Sequence, residues 1–354
     1  MLLDACLHVQ AGWEVLVLGP PAARPLYEAI GAALARREAY AVFQLSPEGS
    51  IGAINRSWIR NAPDELLPKP SSLQAHLLAE TDALLFVAAP ENTRDPASVD
   101  ADRYTQARQA YREAMKRADA DETPWVVCHF PTPAMAQEAG MATDEFEEFL
   151  YGACLLDWDA ERERMQRYAD RFDGAEEVRI VGAGTDLRLG VAGRPFEVDA
   201  GGTGGGSNMP GGEFFCCPLE DSAEGEIVFG EFPAVRRGRE VTGIRLRFDT
   251  GRVVEASAST NEDFFFQLLD TDDGARRLGE LGIGCNPGIT RSIGSPYFDE
   301  KIDGTVHLAV GHGFPSVGGT NESMVHWDIV KDLRDGGRIE VDGEVVQEDG
   351  QWLI

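Results

Sequence analysis

Gly304-Thr305-Val306-His307-Leu308-Ala309-Val310-Gly311 reads as a short β-strand carrying a histidine near its start, and His326-Trp327-Asp328 reads as a second strand further on. Residues two apart on a strand point to the same face, so the His326 imidazole and the Asp328 carboxylate can meet one metal ion. Working outward, the turn-rich Asp299-Glu300-Lys301-Ile302-Asp303 leads into the first of these strands. Gly318-Gly319-Thr320-Asn321 precedes the second, with Ser323 between them. Upstream lie Leu278-Gly279-Glu280-Leu281-Gly282-Ile283-Gly284 and, earlier still, Pro210-Gly211-Gly212-Glu213. Carboxylates and imidazoles are the ligands of catalytic zinc, cobalt and manganese. Glu213, Glu280, Glu300, His307, His326 and Asp328 are spread over about 115 residues, which points to a hydrolytic metal site assembled by the fold rather than a local finger.

The whole second half shares this texture of short strands, glycines and turns. Strands are expected at Val178–Val181, Asp186–Val191, Pro195–Ala200, Glu226–Phe229, Gly243–Phe248 and Arg252–Ala258, and the tail from Arg338 to Ile354 reads as hairpins turning at Asp342-Gly343 and Asp349-Gly350. Asn261–Leu278 is expected to be its one clear helix, which places Glu280 just beyond a helix C-terminus. A carboxylate there opposes the helix dipole, and a dication would hold it. The expectation is a β-rich α+β domain with mainly antiparallel sheet. The glycine run Gly201–Gly206 lacks the lysine and following helix of a phosphate loop, and is read as letting the backbone approach a substrate channel.

The first half differs. Short apolar runs at Trp13–Leu18, Tyr40–Leu45, Ala83–Ala89 and Trp125–Phe130 alternate with helical patterns at Pro25–Glu38, Ser72–Glu80 and Asp102–Ala118. Such alternation predicts an α/β domain with a mainly parallel sheet. Leu18-Gly19-Pro20-Pro21 follows the first strand where a nucleotide site would need a glycine-rich turn, and proline removes the amide donors a phosphate would use. This half is read as a scaffold or oligomerisation unit. Thr143, followed by Asp144 and Glu145, opens a helix expected to run to about Phe172 with a break near Trp158. The expected organisation is residues 1–142 as the α/β scaffold, 143–175 as a linking helix and 176–354 as the catalytic metal-binding domain.

Composition narrows the function classes. Against 60 acidic residues there are 32 basic ones, a net charge of −28 that argues against a nucleic-acid partner, whose phosphates would be repelled. Lysines occur only at positions 69, 116, 301 and 331, and all other basic residues are arginines. An acidic, lysine-poor surface resembles that of salt-in halophiles, where molar salt screens the repulsion. No apolar run reaches the ~20 residues that span a bilayer. Met1-Leu2-Leu3-Asp4-Ala5-Cys6 lacks the basic start and long apolar core of a signal peptide, so a cytoplasmic location with no membrane partner is expected. Cys6, Cys128, Cys154, Cys216, Cys217 and Cys285 form no C-x-x-C pair and are read as buried small hydrophobes.

Taken together, the signatures of the second half resemble the thermophilic metalloprotease family, metalloaminopeptidases of the aminopeptidase T type. Phe130-Pro131-Thr132, Ala139-Gly140-Met141 and Gly184-Thr185-Asp186-Leu187 fit as well. The resemblance implies Glu213, Glu280, Glu300, His307, His326 and Asp328 as metal ligands, with Glu280 bridging two ions and Glu300 as ligand or general base. Four carboxylates and two histidines exceed the three ligands of a single catalytic zinc. Two divalent ions (zinc, cobalt or manganese) about 3.5–4 Å apart would activate a shared water and polarise a scissile carbonyl. The implied substrates are short peptides cleaved at the N-terminus, and the implied assembly is a homodimer.

One position departs from the pattern. The family carries a tyrosine seven residues after the histidine matching His307, placed to stabilise an oxyanion, whereas this chain has Phe314. His312 is the nearest candidate to supply the missing donor. A divergent branch of the fold contains ring-cleaving dihydroxypyridine dioxygenases with one non-haem iron, and lacks the residues matching Glu280 and His307. Retention of both here favours the peptidase over the dioxygenase. It also favours it over a non-catalytic, metal-stabilised binding protein, since structural metals prefer closed sites rich in cysteine and histidine.

Overall fold

A computed structural model of the chain describes residues 1–45, 56–114, 123–201 and 206–353. The chain divides into two compact units, Met1–Leu155 with Gly201–Gly211, and Leu156–Ala200 with Gly212–Ile354.

The first unit is built on four strands whose residues are mostly aliphatic: Glu14–Gly19, Tyr40–Leu45, Ala83–Ala88 and Trp125–His129. They pair in parallel, and a fifth parallel strand, Gly206–Met209, adds beside Trp125–His129. The sequence reading had no strand there: a glycine-rich segment carries no alternation to announce one, and pairing with a preformed edge supplies the order. Residues 202–205 of the supposed channel loop, and 115–118 of the Asp102–Ala118 helix, lie outside the described residues. Ala83–Ala88 is buried at every position, because helices cover both faces of such a sheet. The helix Arg24–Arg36 buries Tyr27, Ile30 and Leu34, one face at helical spacing. Tyr27 donates its hydroxyl to Pro20 O at 2.8 Å, and a Cβ on Gly19 would lie 2.3 Å from that hydroxyl oxygen. The turn where a nucleotide fold would open is thus filled by a tyrosine.

The expected linking helix is two helices, Thr143–Cys154 and Trp158–Ala169, the second capped by Asp157 accepting from Ala160 N at 3.2 Å. In the second unit, eight antiparallel strands form one sheet, in the order Arg252–Ser257, Ile244–Asp249, Glu224–Phe229, Thr185–Gly190, Glu177–Gly182, Arg338–Val341, Glu344–Glu348, Gln351–Trp352. Thr185–Gly190 and Ile244–Asp249 alternate buried and more exposed residues, and Arg179–Asp186 and Arg247–Glu255 pair across neighbouring strands. A second antiparallel sheet of five strands runs in the order His326–Asp332, Thr305–Gly311, Leu278–Gly284, Glu213–Cys216, Glu197–Asp199.

The helix expected over Asn261–Leu278 ends at Leu269. Asp272 then accepts Ala275 N at 2.9 Å and opens a short 3-10 turn at Asp273–Arg276; it also accepts Met324 N and the Ser323 hydroxyl, each at 2.7 Å. The chain leaves that turn as a strand, so Glu280 is a strand residue and the helix-dipole argument for it falls away.

Candidate metal centre

The pleat and register of the five-stranded sheet bring the site together. Glu280, Gly282 and Gly284 share one face of their strand, and so do Thr305, His307, Ala309 and Gly311 on the next. Register pairs Gly284 with Glu213, Gly282 with His307, Ala309 with Asp328, and Gly311 with His326. An irregularity between Leu278 and Glu280 shifts the register and sets the Glu280 face. Large ligating side chains thus stand beside glycine and alanine, which leaves them room to lean together. A Cβ on Gly282 would lie 2.0 Å from His307 Nε2, so the imidazole needs the glycine's empty position. The intervening residues Leu281, Ile283, Val306, Leu308, Val310, Trp327 and Ile329 are buried on the opposite face.

Ligand atoms of Glu213, Glu280 and His307 lie within 4.8 Å of one another, as do those of Glu280, His326 and Asp328. Glu280 belongs to both groups. Its Oε1 is 3.3 Å from His307 Nε2 and its Oε2 is 3.2 Å from His326 Nε2. Glu213 Oε2 lies 3.2 Å from His307 Nε2, and Asp328 Oδ1 lies 3.4 Å from His326 Nε2. His326 Nδ1 is 2.8 Å from the His312 carbonyl; in the neutral ring, donation there would leave Nε2 with its lone pair toward the carboxylates, the tautomer a metal ligand requires. The buried atoms Glu213 Oε2 and Asp328 Oδ1 have no hydrogen-bond partner among the described residues. Hard carboxylate oxygens and imidazole nitrogens, converging with unsatisfied buried oxygens, fit a divalent metal of the zinc, cobalt or manganese kind.

Glu300 is in neither group. It is 7% exposed, and its Oε1 accepts from Lys301 Nζ at 2.5 Å. Lys301 is fully buried and also donates to Glu213 Oε1 at 2.8 Å. Spacing alone did not single out this lysine; its scarcity in an arginine-dominated chain was the one available signal. By holding Glu213 Oε1 it leaves Oε2 to face His307. Next to it, Asp299 accepts Ile293 N at 2.8 Å and Ser292 Oγ at 2.7 Å, anchoring the loop that delivers Glu300 and Lys301.

The other signature residues organise backbone. Asn321 Nδ2 donates to Gly311 O and Gly274 O, at 2.5 and 2.9 Å, and Thr320 donates its amide and its hydroxyl to Glu220 at 2.7 Å. These contacts fix the loop between the two histidine strands. The His312 carbonyl faces His326 Nδ1 and its amide donates to Val325 O at 2.7 Å; its ring stands edge-on to Phe314 at 6.2 Å between centroids. Phe314 lies 4.8 Å from the His326 ring. All six cysteines are buried thiols outside any disulfide.

Proton binding follows from this packing. Burial would push His307 down, but the Glu213 and Glu280 carboxylates outweigh it and hold the imidazole well above its usual value. His326 is raised likewise, by Asp328 and Glu280 against burial. Burial opposes ionisation of Glu213, yet Lys301 and His307 bring it down to about 2. For Glu300, burial wins over the pull of Lys301, and with Glu213 and Asp328 nearby the carboxyl is pushed up to about 8. Without ions, three carboxylates are therefore balanced by one ammonium and two imidazolium protons.

The family model of the thermophilic metalloproteases matches residues 1–352. Aminopeptidase T from Thermus thermophilus is 29% identical over 287 residues, covering 70% of this chain and 69% of that protein. Aminopeptidase 2 from Geobacillus stearothermophilus is 26% identical, with 98% of this chain and 92% of the relative covered. Among solved structures, wild-type AmpT from Thermus thermophilus superposes with a TM-score of 0.83 at 24% identity, covering 100% of this chain and 97% of that one. The 2,5-dihydroxypyridine dioxygenase from Pseudomonas putida gives 0.62 at 16% identity, covering 96% and 92%. Both structural likenesses concern the fold. With the family model spanning nearly every residue, the chain belongs to the thermophilic metalloprotease family.

Proposed function

We propose that this chain is a metal-dependent aminopeptidase that removes N-terminal residues from short peptides with two divalent ions. The observation that carries the reading is Glu280, whose two carboxylate oxygens face two different histidines, at 3.3 and 3.2 Å. Glu213, Glu280 and His307 would hold one ion, and Glu280, His326 and Asp328 the other. Ions held by these residues would supply an activated water and polarise the scissile carbonyl. Glu300 carries the proton, from the water to the leaving amine, and Lys301 holds it in place beside Glu213. His312 is the proposed donor in place of the hydroxyl that Phe314 lacks. A homodimer, a cytoplasmic location and a requirement for high salt complete the proposal; the acidic composition supports the last, and no helix among the described residues is long and apolar enough to cross a membrane.

Cobalt loading followed by assay of leucyl amides tests the activity, with metal analysis of the same sample. Turnover with two ions per chain is expected. Absence of turnover on any peptide with metal bound would sink the reading, and oxygen uptake with ferrous iron and a dihydroxypyridine would replace it. Light scattering in high salt that reports only monomer would remove the dimer.

A further inference from the structure

The ligating side chains differ in how far they reach solvent. His307, Glu280 and Glu213 are 1%, 6% and 7% exposed, whereas Asp328 is 13% and His326 26% exposed. The basin therefore opens on its His326 side, and two aromatic rings border the opening. Phe314 lies 4.8 Å from the His326 ring, and Phe215 meets Phe314 edge-on at 5.9 Å. Phe215 is two residues beyond Glu213 on the same strand, so it shares the face of the site. Phe214, between them, points the other way and is fully buried against Phe172, Phe196 and Trp352. Phe215 and Phe314 are only partly covered. Apolar ring surface left partly wet beside a polar basin is stabilised by whatever apolar group covers it.

An N-terminal residue whose amine and carbonyl are both held at the site has its side chain attached to the carbon between them. That side chain must lie within a few bonds of the ligand cluster, where these rings are. We infer that Phe215 and Phe314 form the wall that receives the side chain of the substrate's N-terminal residue, and that they select large apolar side chains over small or charged ones. The inference rests on the aminopeptidase reading. The wall offers no charge and no side-chain donor, so a charged side chain placed against it would lose water without gaining a partner.

The test compares kcat/KM for leucine and alanine p-nitroanilides in the cobalt-loaded parent, Phe314→Ala and Phe215→Ala. The parent favours leucine, and the leucine-to-alanine ratio falls about tenfold or more in each variant, with metal content unchanged. A general structural defect lowers both rates and cancels in the ratio. A ratio unchanged in both variants, with turnover retained, overturns the wall while leaving the aminopeptidase intact. A metal-loaded parent that turns over no peptide removes both. Where an alanine variant does not fold, Phe314→Leu and Phe215→Leu are read in the same way: a smaller fall is expected, and an unchanged ratio overturns the inference.

Discussion

In the parallel sheet of the first unit, Val15, Leu16, Val17 and Leu18 are buried, as is every residue of Ala83–Ala88. In the five-stranded antiparallel sheet of the second unit, Leu281, Ile283, Leu308 and Trp327 are just as buried, but they alternate with Glu280, Gly282, His307 and Asp328. Both sheets have five strands and dry central strands. One spends both faces on apolar packing, while the other reserves a face for charged groups that burial makes costly unless they are paired. The difference shows what a buried strand can carry: apolar groups on both faces give a scaffold, and polar groups opposite glycines give a site.

The largest effect that would separate the two sheets is expected from Glu280→Ala. Losing the shared carboxylate should remove both ions, or leave one weakly held, and lower turnover by at least about a thousandfold, ~4 kcal/mol of barrier. Metal analysis and single-turnover assay check it; an unchanged metal content would break the shared-ligand arrangement. Lys301→Met should destabilise the metal-free protein by about 3–5 kcal/mol, because it leaves the buried Glu213 carboxylate without its cation and Glu300 without its hydrogen-bond donor. Denaturant unfolding reads this directly, and a loss under about 1 kcal/mol would show that the ammonium does not balance the pair. In the other sheet, Leu85→Ala should cost about 2–5 kcal/mol of stability while leaving metal stoichiometry untouched.

A pH experiment sharpens the same contrast. His307 and His326 are raised, so in the metal-free protein their contribution to stability is full below about 6.5, the unfolded value, and is lost as pH rises through their higher folded values. Glu300, raised to about 8, adds to that loss between its ordinary value and 8, since the unfolded chain ionises there first. Metal-free stability should therefore fall as pH rises from mildly acid to alkaline. Metal affinity should rise over the same range, because ions need neutral imidazoles. Calorimetry at neutral pH in buffers of different ionisation enthalpy should show proton release on cobalt binding; uptake would contradict the charge balance. The smallest effect on metal content is expected from His312→Ala, which keeps the carbonyl that orients His326; metal analysis should find it unchanged, while turnover should fall about a hundredfold with the lost oxyanion donor.

The sequence by itself determined the elements whose information is local. Apolar runs marked the four parallel strands first in chain order, the H-x-D spacing placed His326 and Asp328 on one strand face, and turn residues marked the tail hairpins. The tertiary structure alone decided what depends on partners distant in the chain. Gly206–Met209 became a strand because Trp125–His129 offered it an edge. Glu280 joined a strand because the helix stops at Leu269 and the turn capped by Asp272 redirects the chain, and the register with Thr305–Gly311 then set its two oxygens between two histidines. Lys301 and Glu300, legible only as a charged turn, are buried because Glu213, 88 residues away, supplies the charge that makes burial tolerable. Periodicity reports which face a side chain takes along its own strand. Which groups share that face across the sheet is fixed by backbone pairing and by the cost of leaving a buried charge without its partner.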